Sequence, residues 1–190
     1  MEPLQYEDQA FDTIDYSEKI LPRSEYIDCH FTNCNFSKAA ISASDFIGCA
    51  FTGCNFSLAV MDNTGLKNVV FKDCKMVGID FSKCSDFLFS VSFENCPLDY
   101  SSFFEKKMKK TVFHGCSLKE SDFTGTDLAM AVFENCDLSN ASFVRSNLEK
   151  ADFRTARHYS FDPDLNKMKK AKFSHEGVIG LLAKYNLDIY

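Results

Sequence analysis

The chain has 190 residues, 45% of them hydrophobic and 14% aromatic, enough to bury one sizeable core and too apolar for a disordered polymer. Its net charge of −6 is carried by residues 1–30, where eight acids face two bases, while residues 31–190 hold 19 of each. No stretch approaches the ~20 apolar residues of a membrane span, and the opening QYEDQAFDTIDYSEK lacks the basic and apolar regions of a signal peptide, so the chain is expected to be cytoplasmic with no membrane partner. Nine cysteines, an odd count without an export signal, then point to reduced thiols rather than a disulfide framework.

Residues 1–10 form an acidic lead-in. From Phe11 to Phe81 every fifth residue is large and apolar, fifteen positions in succession. After a slip of two residues within 82–88 the pattern resumes at Leu88 and runs through fourteen positions to Phe153. Neither a 3.6-residue helix nor a two-residue strand keeps one face at a five-residue spacing. Two positions before each of these anchors stands a small or β-branched residue in most pentads, and all nine cysteines fall there, Cys84 by continuing the first register. A free cysteine is a small buried hydrophobe with a weak S–H donor, which suits a cramped inward slot. Five of the eight glycines (Gly48, Gly53, Gly78, Gly115, Gly125) lie two residues after an anchor, where a sharp turn would place them.

Each pentad therefore offers one large and one small inward residue followed by a bend. The near-identity of FTNCNFS (31–37) and FTGCNFS (51–57) sets the closure at twenty residues, four pentads to a coil. Phe113, Phe133, Phe153 and Phe173 then stack in one column, Phe103, Phe123 and Phe143 in a second, Leu98, Leu118 and Leu138 in a third, and Met108, Leu128 and Leu148 in the fourth. Cysteines stack likewise, at 29 and 49, at 34, 54 and 74, and at 96, 116 and 136.

With its anchors and its pairs in CNFSK, SDFTG, CDLSN, SNLEK and ADFRT, the chain resembles the pentapeptide-repeat family, motif A(D/N)LXX, from residue 11 to 153. The resemblance implies an all-β solenoid, a right-handed quadrilateral β-helix with one pentad per side. Residues 11–173 would make about eight coils and a rod about 40 Å long at strand spacing.

Three segments depart from the pattern. Phe87 and Phe89 crowd the slip, which predicts a bulge or kink at a corner. Lys106 is charged where its counterparts are small, as is Asp86 at the start of the second run. Anchors fail at His158 and Pro163 and return at Met168 and Phe173, so residues 155–167 read as a loop thrown outward. Residues 174–190 then read as a module of their own. Ser174 is a candidate N-cap, and HEGVIGLLAKYN places Val178, Leu181, Leu182 and Tyr185 on one helical face, a capping helix for the open coil. The stripe is wide enough that Val178, Leu181, Leu182, Tyr185, Leu187 and Ile189 are also expected to pair two chains, and C-terminal homodimers occur in the family it resembles.

No phosphate loop, nucleophile elbow or HExxH motif is present, and the four histidines are dispersed. Asp122 and Asp127 recur wherever the motif places an acid before an anchor, so they read as surface or turn residues. The expectation is a non-enzyme with no cofactor and no metal. The residues favour a protein-interaction scaffold, because the sides of a solenoid can vary without touching its core. The resemblance offers a second reading, a DNA-mimicking rod of the Qnr and microcin-immunity type that binds DNA gyrase or topoisomerase and protects it from quinolones or toxins. Glu7, Asp8, Asp12, Asp15 and Glu18 are its candidate acidic surface. A neutral body and a two-residue insertion, where Qnr proteins carry long loops, depart from that type. The lysine clusters at 106–110 and 167–172 are short and lack interleaved aromatics, so direct nucleic-acid binding is not expected.

Overall fold

In the computed structural model, which describes residues 3–188, the five-residue period becomes a square coil stacked in parallel on the next. Two sides contain regular strands. Strands β1 (Leu4–Glu7), β3 (Ser24–Ile27), β5 (Asp45–Ile47) and β7 (Gly65–Lys67) form a four-stranded sheet. The other sheet runs in the order β2 (Ala10–Asp12), β4 (His30–Thr32), β6 (Ala50–Thr52), β8 (Val69–Lys72), β9 (Val91–Glu94), β10 (Val112–His114) and β11 (Val132–Glu134). Single bridges such as Ser117↔Asp137 and Asp122↔Ser142 join coils on the remaining two sides. We name the sides by their anchors: Phe113, Leu118, Phe123 and Leu128.

The anchors fill the interior. On the Phe113 side, Phe11, Phe31, Phe51, Phe71, Phe93, Phe113, Phe133, Phe153 and Phe173 form one unbroken column, with ring centroids 4.6–5.5 Å apart and nearly parallel planes. The Phe123 column meets it edge-on, as with Phe113 and Phe123 at 5.9 Å and 85°, so each ring gains both stacked and T-shaped partners.

The small slot explains the cysteines. The thiols of Cys34, Cys54, Cys74, Cys96, Cys116 and Cys136 point back one coil and donate to the anchor carbonyls of Phe11, Phe31, Phe51, Phe71, Phe93 and Phe113 at 3.4–3.7 Å. Ser121, Thr126 and Ser146 make the same contact to Leu98, Phe103 and Phe123 at 2.7–3.0 Å. An inward donor satisfies a buried carbonyl at a site too narrow for a longer side chain. The two cysteine triplets read from the sequence are one column of six, because β9 pairs with β8 at an offset of 22 residues (Phe71↔Phe93) instead of 20.

All nine cysteines are buried free thiols. Burial pushes the thiol of Cys49 up to about 11 and those of Cys84 and Cys96 up to about 12. At those three the attacking thiolate is scarce near neutral pH; hydrogen bonds from Cys74 and Cys116 lower Cys54 and Cys136, whose protection is burial alone. Thiol titration of the native protein at pH 8 is expected to label few of the nine, and full labelling only after urea; rapid native labelling of most would refute the inward assignment.

Most corners are left-handed; Arg23, Lys83 and Thr155 are exceptions. The five glycines noted above have φ of 64–72°, and the equivalent position is filled elsewhere by Asn33 (φ 52°), Asp73 (φ 53°) and many other residues in the same conformation. Asn and Asp tolerate it best among non-glycine residues.

The insertion lies later than the sequence suggested. Pentad 84–88 keeps the first register: Cys84 is buried in the small slot, Asp86 stands where an anchor would, and Leu88 takes the corner conformation with φ 55°. Leu88 is therefore not the first anchor of the second run. It is 65% exposed, and Phe89, one of two extra residues with Ser90, folds back against the core in its place. An aspartate cannot fill an apolar slot, and the extra length allows an aromatic ring to do so.

The segment 155–167 is less of a loop than expected. Arg157 still bridges to Asp137, and Tyr159 and Phe161 turn inward against Phe153 at 5.6 and 5.8 Å. Asn166 occupies a small slot and donates through Nδ2 to Phe143 O at 2.8 Å. Two aromatic rings displaced from the five-residue register bury more apolar area than an outward loop would.

The C-terminal helix is also corrected. Two 3₁₀ segments, Gly177–Leu181 and Ala183–Tyr185, replace the expected amphipathic α-helix, although Ser174 Oγ does accept the Gly177 N–H at 3.0 Å. Gly177 and Gly180 lie against Tyr159, where a Cβ on Gly180 would overlap the Tyr159 carbonyl. This contact, and the poor helix propensity of the two glycines, outweigh the apolar periodicity. Gly180→Ala is expected to lift the segment off Tyr159, costing about 1–3 kcal/mol as overpacking. A lower urea midpoint and faster proteolysis after residue 174 would show it; an unchanged midpoint would refute the contact.

Candidate interaction surfaces

Among the described residues no three His, Cys, Asp or Glu side chains converge as metal ligands, and no helix is long and apolar enough to cross a membrane. His114 Nδ1 lies 3.1 Å from Glu134 Oε2 and His158 Nδ1 lies 3.0 Å from Asp137 Oδ1, both on the surface. The chemistry of this rod therefore has to be sought in what its sides present.

Many outward carboxylates are turn groups. Asp122 accepts the backbone N–H of Thr124 at 2.9 Å and Asp127 that of Ala129 at 3.3 Å, while Asn147 Nδ2 of the next coil donates to Asp127 at 2.9 Å. Asp152 is held at about 2 by the hydrogen bond from Arg154, with a further bond from Lys172. Burial raises Asp137, but hydrogen bonds from Ser139 and His158 outweigh it and leave the carboxyl well below the usual range. A depressed folded-state pKa contributes stability above about pH 4 that is lost as pH falls through the folded value.

The expected acidic surface is a collar, not a stripe. Glu7 and Asp8 lie on the Leu128 side of the first coil, Asp12 on the Phe113 side, and Asp15 and Glu18 on the Leu118 side, all exposed. They occupy three of the four sides at one end of the rod.

The C-terminal stripe is divided. Leu181 is buried and joins the core, while Val178, Leu182, Tyr185 and Leu187 are exposed; Ile189 lies outside the described residues. Lys184 Nζ pairs with Asp162 at 2.7 Å and with Asp164, fastening the segment to the final coil.

The Leu128 side is where the stack is interrupted. Sheet β1–β3–β5–β7 ends there, followed by the row containing the insertion. In the next row Lys106 is buried, with 2% of its side chain accessible; its Nζ donates to Asp86 Oδ1 at 2.7 Å and to the Cys84 carbonyl, and sits 4.9 Å from the Phe89 ring centroid. This pair unites the two charged residues that break the pattern, Lys106 in a small slot and Asp86 at an anchor position. Phe87 and Leu88 are pushed into solvent, 67% and 65% exposed, and Lys67 Nζ lies 5.3 Å from the Phe87 ring. Beside them is a depression of about 660 Å³ between Ile47, Lys67, Leu88, Lys107, Lys109 and Asp127.

The same side changes sign along its length. Its first three rows carry Glu7, Asp8, Glu25, Asp28 and Asp45 and no base. Beyond the insertion the column Lys107–Asp127–Asn147–Lys167 is joined bridge by bridge, and the hydrogen bonds Lys110 to Ala129, Met130 to Glu149 and Lys150 to Lys169 place the adjoining corners in line. The two lysine clusters, sixty residues apart in sequence, thus lie three rows apart on one side.

A square parallel β-solenoid closed every four pentads, with inward anchors and small donors, defines a class of repeat protein. The model described as a pentapeptide repeat region matches residues 24–103 and 87–161, and the chain belongs to that family. Among solved structures, it is similar to full-length QnrB1, a plasmid-mediated fluoroquinolone resistance protein, at 20% identity over 96% of this chain and 100% of that one with a TM-score of 0.34. It is also similar to HetL, a pentapeptide repeat protein involved in heterocyst differentiation regulation from the cyanobacterium Nostoc, at 15% identity over 90% and 84% with a TM-score of 0.42. No curated protein sequence matches the chain.

Proposed function

We propose that the protein is a non-enzymatic interaction scaffold, a rod whose sides hold a protein partner. The observation that carries this reading is the interrupted Leu128 side, where Phe87 and Leu88 stand in solvent between lysines instead of completing the core. Large exposed apolar side chains with a charged surround characterise contact surfaces. The inward polar groups, by contrast, are occupied in coil-to-coil hydrogen bonds, as with Ser121, Thr126 and Ser146.

The gyrase reading needs negative potential spread along the rod as phosphates are along a duplex. The acidic collar at one end supports it; the change of sign along the Leu128 side weighs against it. Affinity capture from the native cell, using the intact rod and a Phe87→Ser/Leu88→Asn variant, separates the readings. The scaffold reading expects a stoichiometric protein partner that the variant loses. Capture of gyrase subunits unaffected by the variant, with protection of supercoiling from a quinolone, would replace it with the mimic. Retention of no protein at physiological ionic strength would end both.

A further inference from the structure

We propose that the Leu128 side binds a second copy of this chain, two rods lying side by side and antiparallel about a two-fold axis through the insertion row. The row order along this side carries the argument. It begins at Gln5–Asp8, passes 25–28, 45–48 and 65–68, reaches the insertion, and continues through 107–110, 127–130, 147–150 and 167–170. The insertion is the fifth of nine rows. Rotation about it lays the first row on the ninth, so Glu7 and Asp8 of one copy face Lys167, Lys169 and Lys170 of the other, twice over.

A surface that is acidic at one end, basic at the other and apolar at its centre is self-complementary under a two-fold axis and under no parallel arrangement. Parallel alignment would set acids on acids and lysines on lysines. At the centre, the exposed Phe87 of each copy meets the depression beside Leu88 on its partner, an apolar core with a charged rim. Nearer the axis like charges face each other, Lys67 against the 107–110 row and Asp45 against Asp127, so the attraction comes from the end rows and the apolar centre, and intrachain pairs blunt part of the repulsion. Asp45 is already paired with Lys67 at 3.2 Å and Lys109 with Asp127 at 3.3 Å.

This arrangement uses the same Phe87–Leu88 patch as the scaffold reading; Lys169→Glu/Lys170→Glu, which spares that patch, separates the two, since it should abolish the dimer and leave capture of a different protein unchanged. The arrangement also differs from a dimer made by the C-terminal residues, and the two are separable by variant. Sedimentation of the full chain at about 100 μM and low salt is expected to show a dimer that dissociates as ionic strength rises past the ~3 Å Debye length of 1 M salt. Phe87→Ser/Leu88→Asn removes the apolar centre without touching the core, and asparagine suits the left-handed corner at 88. It should yield monomers with an unchanged urea midpoint. Lys169→Glu/Lys170→Glu should also yield monomers, and adding Glu7→Lys/Asp8→Lys to that variant should restore the dimer by exchanging the two ends.

A monomeric native chain under these conditions would overturn the proposal. So would a dimer indifferent to all these variants but lost on removing residues 175–190, which would assign the contact to the C-terminal segment. Retention by the monomer of a labelled single-stranded oligonucleotide, abolished by Lys169→Glu/Lys170→Glu, would give the lysine rows to nucleic acid instead.

Discussion

Phe123→Ala is expected to lower stability by about 3–5 kcal/mol. Its ring stacks on Phe103 and Phe143, both at 4.9 Å, and meets Phe113 and Phe133 edge-on at 5.9 and 5.8 Å. Truncation removes a ring from one column and an edge-on partner from the next, and the coils above and below cannot close the gap because their own hydrogen bonds hold the spacing. Thr124→Ala, one residue on and outward, is expected to stay within about ±0.5 kcal/mol. Urea midpoints of the two variants measure the difference, and equal midpoints would contradict the assignment of inward and outward positions.

Lys106→Ala is expected to cost about 3 kcal/mol, combining loss of a long buried stem with an unpaired carbonyl at Cys84. Lys106→Met keeps the stem and loses only the donor, so about 1–3 kcal/mol is expected. Asp86→Ala should cost about 1 kcal/mol or less, since its carboxylate is 73% exposed and water can replace it beside the ammonium. This ranking, read from denaturant midpoints, places the function of Lys106 in holding the insertion row against the next coil. If Asp86→Ala were as damaging as Lys106→Ala, the ion pair and not the carbonyl contact would be the fastening.

The role of Lys106 depends on where the departure from the repeat comes to rest. A regular solenoid tolerates an insertion only if the coils on either side stay in contact, and here β8 and β9 remain paired in parallel across it. The extra residues are absorbed on one side, at the cost of an exposed Phe87 and Leu88. The irregularity and the candidate contact surface are therefore the same feature.

The sequence by itself determined the coil. Anchor, small slot and corner repeat within five residues, and the twenty-residue echo supplies the closure, so square section, inward cysteines and left-handed corners all follow from short-range pattern. The physical reason is that each pentad meets nearly the same environment, its own copy one coil above and below. Where that sameness fails, local pattern misleads: Leu88 keeps the five-residue spacing of an anchor but sits at a corner, and the periodic HEGVIGLLAKYN packs as 3₁₀ turns because Gly177 and Gly180 must lie against Tyr159. Only the tertiary structure decided which distant residues share a side. Asp86 and Lys106 look like two unrelated defects until stacking sets them 2.7 Å apart. Two short lysine clusters become one basic half of the Leu128 side, opposite in sign to the acidic half that begins at Glu7. Such neighbours are set by the number of residues in every intervening coil, and an insertion of two changes that count for everything beyond it.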